Sequence, residues 1–337
     1  MTSPTIQLRP DQKAVLRYQG GRMGISAVPG SGKTWTLAYL AANLIKIGAV
    51  DPDQEILVVT LVNAAVDNFS SRIAAQLQIE NLLPGYGYRV RTLHGLANDI
   101  VRERPDLAGL STSYQIIDEV EATRIKKRIA LDWLNAHQDF FEPYLDYQEY
   151  EWKKIYEGEY NLPKTVESIA NAFIRIAKDG ELTPTTLRKR LSDSPIPLPL
   201  VEMGADMYSE YQSALSYRGG VDFDDLIRLA LRCLRSDPSL VELLGKRWPF
   251  ILEDEAQDSS RLQQEILNLL AGERGNWVRV GDPNQAIYES FTTASPQYLL
   301  DFLADPQVDI KTLPESGRST QSIIDLANHL ITWTQTS

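Results

Sequence analysis

Residues Ala27 to Thr34 read AVPGSGKT, and they stand between an apolar run, Met23–Val28, and a segment whose apolar residues recur every three to four positions. A strand, a glycine-containing loop and a helix that opens on Lys-Thr together form the context a phosphate-binding loop requires. Gly30 and Gly32 let the backbone curl so that successive N–H groups face phosphate oxygens, and the helix N-terminus adds a favourable dipole. Pro29 and Ser31 complete the loop. Lys33 is expected to reach the β- and γ-phosphates and the Thr34 hydroxyl to bind Mg²⁺. Ala27 stands where the strict pattern has glycine.

Such a loop needs a metal-binding acid at the end of a neighbouring strand, and WPFILEDEAQD supplies one. Asp254 follows the apolar run directly and is the candidate for holding the ion. Glu255 beside it is placed to polarise an attacking water as general base. Thr34 and Asp254 are 220 positions apart, far more than a minimal nucleotide-binding fold needs, so another domain is expected between them.

The rest of the chain supplies both parts. Five apolar runs, Met23–Val28, Ile56–Thr60, Tyr88–Thr92, Phe250–Leu252 and Trp277–Gly281, read as buried parallel strands of an open α/β sheet. The segments after Thr34, Asn63, His94 and Ser260 have helical spacing. Between about 108 and 214 the pattern changes to long amphipathic runs such as VEATRIKKRIALDWL with no strand-like run, so this stretch reads as a helical insertion. Its acidic, tyrosine-rich part, 138–160, reads as aromatic packing rather than a partner surface. The basic runs Arg124–Ile129 and Leu187–Arg190 read as solvated helix faces rather than phosphate sites. After Pro306 a strand, Val308–Leu313, leads into a helix from Thr320 to about Thr332.

Composition narrows the function classes. At roughly 150 residues per domain, 337 residues predict two domains. A single cysteine, Cys233, forms no internal disulfide and favours a reducing compartment, so the expected location is the cytoplasm. The amino terminus has no apolar signal core, and no window approaches the ~18 uninterrupted apolar residues of a membrane helix. A net charge of −11 repels polyanions, so any nucleic-acid site must be a local patch.

Several motifs, taken in order, resemble those of the superfamily 1 DNA helicases of the UvrD/Rep/PcrA group. LRPDQ, ending at Gln12, is similar to the Q motif, and AVPGSGKT to the first helicase motif. VVTLVNAAVDNF (58–69) is similar to motif Ia, and RTLHGLA (91–97) to the Thr-x-His motif. DFDDLI (222–227) resembles the segment that resumes the first core. DEAQDSS (254–260) is the helicase form of the Mg²⁺ motif, VGDPNQAIY (280–288) is similar to motif III, and LPESGRSTQSIIDLANHLI (313–331) to motif IV.

The resemblance implies a RecA-like nucleotide-binding core at 1–108 and 215–305, an all-helical insertion at 109–214, and the start of a second RecA-like core at 306–337. It implies ATP and Mg²⁺ as cofactors. Gln12 would read the adenine edge, Gln285 sense the γ-phosphate, Arg318 stabilise transferring charge, and Gln257 couple hydrolysis to DNA. Single-stranded DNA, or a duplex/single-strand junction, would be bound without sequence preference by Thr60, Asn63, His94 and Tyr288. The implied activity is 3′-to-5′ ATP-dependent translocation and unwinding in DNA repair or replication. Thr60, His94 and Tyr288 also have plain structural readings, as a strand end, a helix cap and a core aromatic.

This chain departs from the family pattern at four places. Leu61 replaces an aromatic, ESFTTA follows Tyr288 without the expected arginine, Gly317 replaces a tyrosine that stacks on adenine, and Trp35 replaces an arginine and could take over packing on the base. Motifs V and VI lie beyond motif IV in relatives, so the chain alone is expected not to unwind DNA. Two alternatives remain: a short nucleotide- and DNA-binding regulator without motor activity, and the motor part of a helicase-nuclease.

Overall fold

The computed structural model of the chain describes residues 8–144, 161–273, 275–286 and 293–336. The chain begins with α1 (Pro10–Val15), β1 (Arg22–Ala27), α2 (Lys33–Lys46), β2 (Ile56–Thr60), α3 (Asn63–Ile79), β3 (Tyr88–Thr92) and α4 (Leu93–Glu103). There follow α5 (Pro105–Ala108), β4 (Gln115–Ile116), α6 (Glu119–Ala136), α7 (Leu162–Asp179), α8 (Pro184–Ser192), α9 (Pro199–Tyr217), β5 (Gly220–Val221) and α10 (Phe223–Ser236). The remainder is α11 (Pro238–Arg247), β6 (Phe250–Glu253), α12 (Arg261–Ala271), β7 (Trp277–Gly281), α13 (Gln297–Ala304), β8 (Asp309–Leu313) and α14 (Gln321–Thr336).

Two compact units result, one formed by residues 1–96 with 237–337 and the other by 97–236. The first is built on a six-stranded sheet in the order β3-β2-β6-β7-β1-β8, with every pairing parallel. Parallel strands covered on both faces read as continuous apolar runs, and β2, ILVVT, is buried at all five positions. Leu37, Leu40 and Leu44 of α2 are fully buried at helical spacing in the same core as Met23 and Ile25 of β1. Each contributes about 1.5–3 kcal/mol relative to exposure. Because all six strands run the same way, the segments that leave their carboxyl ends emerge along one edge of the sheet. That edge is where ligands bind in open α/β folds.

The final strand departs from expectation. The run at 308–313, read from sequence as opening a second core, pairs along β1 from Met23↔Asp309 to Ala27↔Leu313 and is the edge strand of the first sheet. Strand character was visible in its apolar residues. Its place depends on hydrogen bonds to residues almost three hundred positions earlier.

The second unit is helical. Its core gathers Trp133 and Leu134 of α6, Val166, Ala170 and Ile174 of α7, and Met203, Met207, Tyr208 and Tyr211 of α9. Asp118, Asn161 and Thr183 cap α6, α7 and α8 by accepting backbone N–H bonds. A two-residue parallel pair, Gln115↔Gly220 and Ile116↔Val221, corrects the reading of the insertion as strand-free; two residues are too few to leave a periodic signature. The unit is wider at both ends than 109–214 and includes the DFDDLI segment. Lys178 Nζ sits 2.7 Å from Asp222 Oδ2 and 3.0 Å from Asp225 Oδ2, and the Tyr211 hydroxyl donates to Asp222 at 2.7 Å. The two basic runs carry local ion pairs, Arg124–Glu121, Arg128–Asp132 and Arg188–Asp206. The tyrosine-rich stretch 138–160 lies outside the described residues from 145 onward.

Candidate nucleotide site

The phosphate loop leaves β1 at Val28, whose N–H donates to the Leu313 carbonyl at 3.2 Å. Gly30 (φ 75°) and Gly32 (φ 89°) are both in the left-handed region, where a Cβ would be strained. Their conformation bends the chain back onto α2, which begins at Lys33. Pro29 is exposed and Ser31 is buried, with its Oγ unpartnered. At the start of α1, the buried Gln12 donates from Nε2 to the Ser31 carbonyl at 3.5 Å, and its Oε1 accepts the Arg9 N–H at 3.1 Å. The Arg9 guanidinium donates to the Ser31 carbonyl and, at 2.5 Å, to the Glu315 carbonyl. Arg9 is therefore a further site residue; only its place three positions before Gln12 hinted at it.

Gly317 N–H donates to the Gly30 carbonyl at 3.0 Å, and a Cβ on Gly30 would meet the Arg318 Cβ at 2.6 Å. The 314–318 segment thus packs on the phosphate loop, bringing Arg318 beside it. Trp35 is half-buried and stacks on Tyr39, with centroids 4.2 Å apart and planes at 30°.

From β6 the chain passes directly into Asp254, whose Oδ2 accepts the Thr34 hydroxyl at 3.2 Å. Its Oδ1 is buried without a hydrogen-bond partner. Burial and the adjacent Glu255 push the Asp254 carboxyl up to about 7. Burial and Glu255 likewise push Asp258 up to about 6. A buried acid with a free oxygen beside a threonine hydroxyl is a poor resting place for a lone negative charge and a good one for a divalent cation. The residues present therefore fit a Mg²⁺-nucleotide.

Glu255 has φ 55°, a left-handed conformation in a residue with a side chain. Its Oε2 lies 2.9 Å from Lys33 Nζ and accepts Gln257 Nε2 at 2.9 Å. Gln257 Oε1 accepts the Asp282 N–H at 3.0 Å, and Asp282 Oδ2 accepts Gln285 Nε2 at 2.7 Å. A continuous chain of contacts thus runs from the phosphate loop through the acidic turn to the segment after β7.

Of the residues expected to meet DNA, Thr60 ends β2 and is 2% exposed. Asn63 is the exposed first residue of α3, and His94 is half-buried in the first turn of α4. Thr60 and Thr92 are register partners, so motif Ia and the Thr-x-His segment leave the sheet side by side. Tyr288 lies outside the described residues.

A phosphate-loop sequence between strand and helix, a facing acid with an unsatisfied oxygen and an all-parallel sheet define an α/β protein with the layout of a phosphate-loop fold. More narrowly, residues 8–307 match the UvrD/REP helicase N-terminal domain, and the chain belongs to that family, with its RecA-like core. It is 32% identical over 321 residues to the ATP-dependent DNA helicase PcrA of Leuconostoc citreum, covering 95% of this chain and 38% of that protein. It is 28% identical over 327 residues to the protein of the same name from Staphylococcus aureus, covering 96% and 40%. The chain spans about two fifths of the length of these curated relatives. Among the described residues no helix is long and apolar enough to cross a membrane.

Proposed function

We propose that this chain binds ATP with Mg²⁺ and single-stranded DNA, and forms the amino-terminal motor portion of a 3′-to-5′ DNA translocase acting in the cytoplasm in repair or replication. The observation that carries the reading is the chain of contacts Lys33–Glu255–Gln257–Asp282–Gln285, which ties the nucleotide loop to two other strand ends. Lys33 and the loop N–H groups take the phosphates, Thr34 and Asp254 hold the ion, and Gln12, with Trp35 nearby, meets the adenine. When bound, the ion neutralises charge on the β- and γ-phosphate oxygens. Glu255 accepts a proton from the water that attacks the γ-phosphorus. The bond to the β–γ bridging oxygen breaks, giving ADP and phosphate. Gln285 and Arg318 face the charge that spreads over the transferring group.

Gln257 passes the state of this site toward DNA. Thr60, Asn63, His94 and Tyr288 contact the strand, and binding is sequence-independent because sugar and phosphate carry no base information. Residues 1–96 with the chain from 237 through β8 form the core, and 97–236 form the helical unit around the insertion expected at 109–214. Any second core opens after Leu313, since β8 belongs to the first sheet. Isothermal titration with a non-hydrolysable ATP analogue and Mg²⁺ is expected to show binding that Lys33→Ala abolishes. Equal affinity in the two proteins overturns the assignment.

A further inference from the structure

β6 and β7 are neighbours in the sheet, and their register pairs Glu253 with Arg279, each at most 1% exposed. Neighbouring residues in a parallel sheet project to the same face, as do residues two apart on one strand. Arg279, Glu253 and Trp277 therefore form one cluster. Arg279 Nε lies 2.8 Å from Glu253 Oε2 and Nη2 lies 3.3 Å from Oε1, while Nη1 donates to the Tyr298 carbonyl at 3.2 Å. The guanidinium stands over the Trp277 ring at 4.8 Å and the Phe302 ring at 5.1 Å. Glu253 also accepts Trp277 Nε1 at 3.1 Å and the Ser259 hydroxyl at 2.6 Å.

Burying two charges is costly, and well-packed apolar residues of similar volume are often as stable or more so. Stability alone is therefore a weak reason for a charged pair between two of the innermost strands. Its position suggests another role. Glu253 immediately precedes Asp254, and Ser259 closes the same turn from its far end. The Glu253–Ser259 bond ties the two ends of the segment that carries Asp254, Glu255 and Gln257, and Arg279 fixes that tie to β7. The Gln257–Asp282 bond holds the same turn to β7 from above.

We propose that Arg279, Glu253 and Ser259 form a positioning clamp that sets the height of the acidic turn against the phosphate loop, and so places Asp254 for the ion. The proposal rests on the nucleotide reading above. These are positioning residues, because each acts through Asp254 and none meets the ligand.

The test measures ADP affinity of the whole chain by calorimetry, once with Mg²⁺ and once with EDTA, in the unaltered protein, Ser259→Ala, Ser259→Thr and the double variant Glu253→Leu/Arg279→Met. In the unaltered protein Mg²⁺ is expected to tighten binding, and an affinity there that Mg²⁺ leaves unchanged overturns the clamp. Loss of the clamp is expected to reduce that gain about tenfold, the scale seen when a group that holds a metal ligand in place is removed. The EDTA affinity, which depends on the phosphate loop, stays unchanged, and Ser259→Thr restores the gain.

An unchanged Mg²⁺ gain in folded Ser259→Ala overturns the clamp, as does a double variant that keeps the full gain. If the double variant fails to fold, Ser259→Ala decides, since it leaves the ion pair intact. Absence of ADP binding in the unaltered protein overturns the nucleotide reading itself and the clamp with it, and is distinguished by appearing before any substitution.

Discussion

Lys33 Nζ lies 2.9 Å from Glu255 Oε2, so the ammonium expected to receive phosphate oxygens is shared with the carboxylate expected to act as base. Glu255→Gln keeps the shape and removes the competing charge. Nucleotide affinity is expected to rise about two- to fivefold, the range for a part-exposed ion pair. Hydrolysis is expected to fall about 10²- to 10⁴-fold with the loss of the base. Calorimetry and phosphate release read the two effects separately; weaker binding in the variant contradicts the shared-lysine arrangement.

Gln257 bridges the acidic turn to the Asp282 N–H, and Gln257→Ala leaves that buried donor without its partner. The expected cost is about 1–3 kcal/mol of stability, measured by urea unfolding. Nucleotide affinity in the absence of Mg²⁺ is expected to hold, because among the described residues the hydrogen bonds of the Gln257 side chain go to Glu255, Asp258 and Asp282 and not to the phosphate loop. Stimulation of hydrolysis by an oligonucleotide is expected to disappear, and stimulation equal to that of the unaltered chain removes Gln257 from the coupling path.

In the helical unit, Lys178 serves two buried carboxylates at once. Burial alone would raise the Asp222 carboxyl, but the Lys178 charge and hydrogen bond hold it below its ordinary value. Its stabilisation is thus present above the unfolded carboxylate pKa of about 4 and is lost as pH falls through the lower folded value. Lys178 itself is pushed the other way, burial being outweighed by Asp225 and Asp222, so its share is full below about 10.5 and lost as pH rises through the higher folded value. Lys178→Met is expected to cost about 3–5 kcal/mol at neutral pH by leaving buried charge unpaired. The pH trend around Asp222 then reverses, because protonation now relieves that charge: the cost of Lys178→Met is expected to shrink as pH falls through about 4 and below. Parallel pH dependence of urea midpoints in the two proteins argues against this network.

The parts of the molecule legible in sequence are those whose chemistry sits in contiguous residues. AVPGSGKT, the strand runs and the DEAQD turn declare themselves because each function needs its residue types at fixed short spacing. Relationships set by register were not legible. β8 is evidently a strand, yet nothing local says that it adds to β1. Glu253 and Arg279 appear only as charges inside apolar runs until the β6–β7 register places them side by side. Thr60 illustrates a third kind of loss: its position at a strand end follows from the apolar run, whereas its burial depends on what packs above it.

The phosphate loop and the 314–318 segment meet through Gly30, which is both left-handed and tightly enclosed. Gly30→Ala would strain the backbone at φ 75° and set a Cβ 2.6 Å from the Arg318 Cβ and 2.8 Å from the Ser316 Oγ. The backbone penalty alone is about 1–2 kcal/mol. The clash must be relieved by moving either the loop, which carries Lys33, or the segment that carries Arg318. Nucleotide binding and charge stabilisation are therefore expected to fall together, with a lower affinity by calorimetry and a lower rate at saturating ATP. Gly48→Ala supplies the control, since Gly48 has a similar φ of 70° and open space around its Cβ position. It is expected to lose comparable backbone stability and keep its nucleotide affinity. Equal losses of affinity in both variants would show that strain, and not the contact with Arg318, governs the loop.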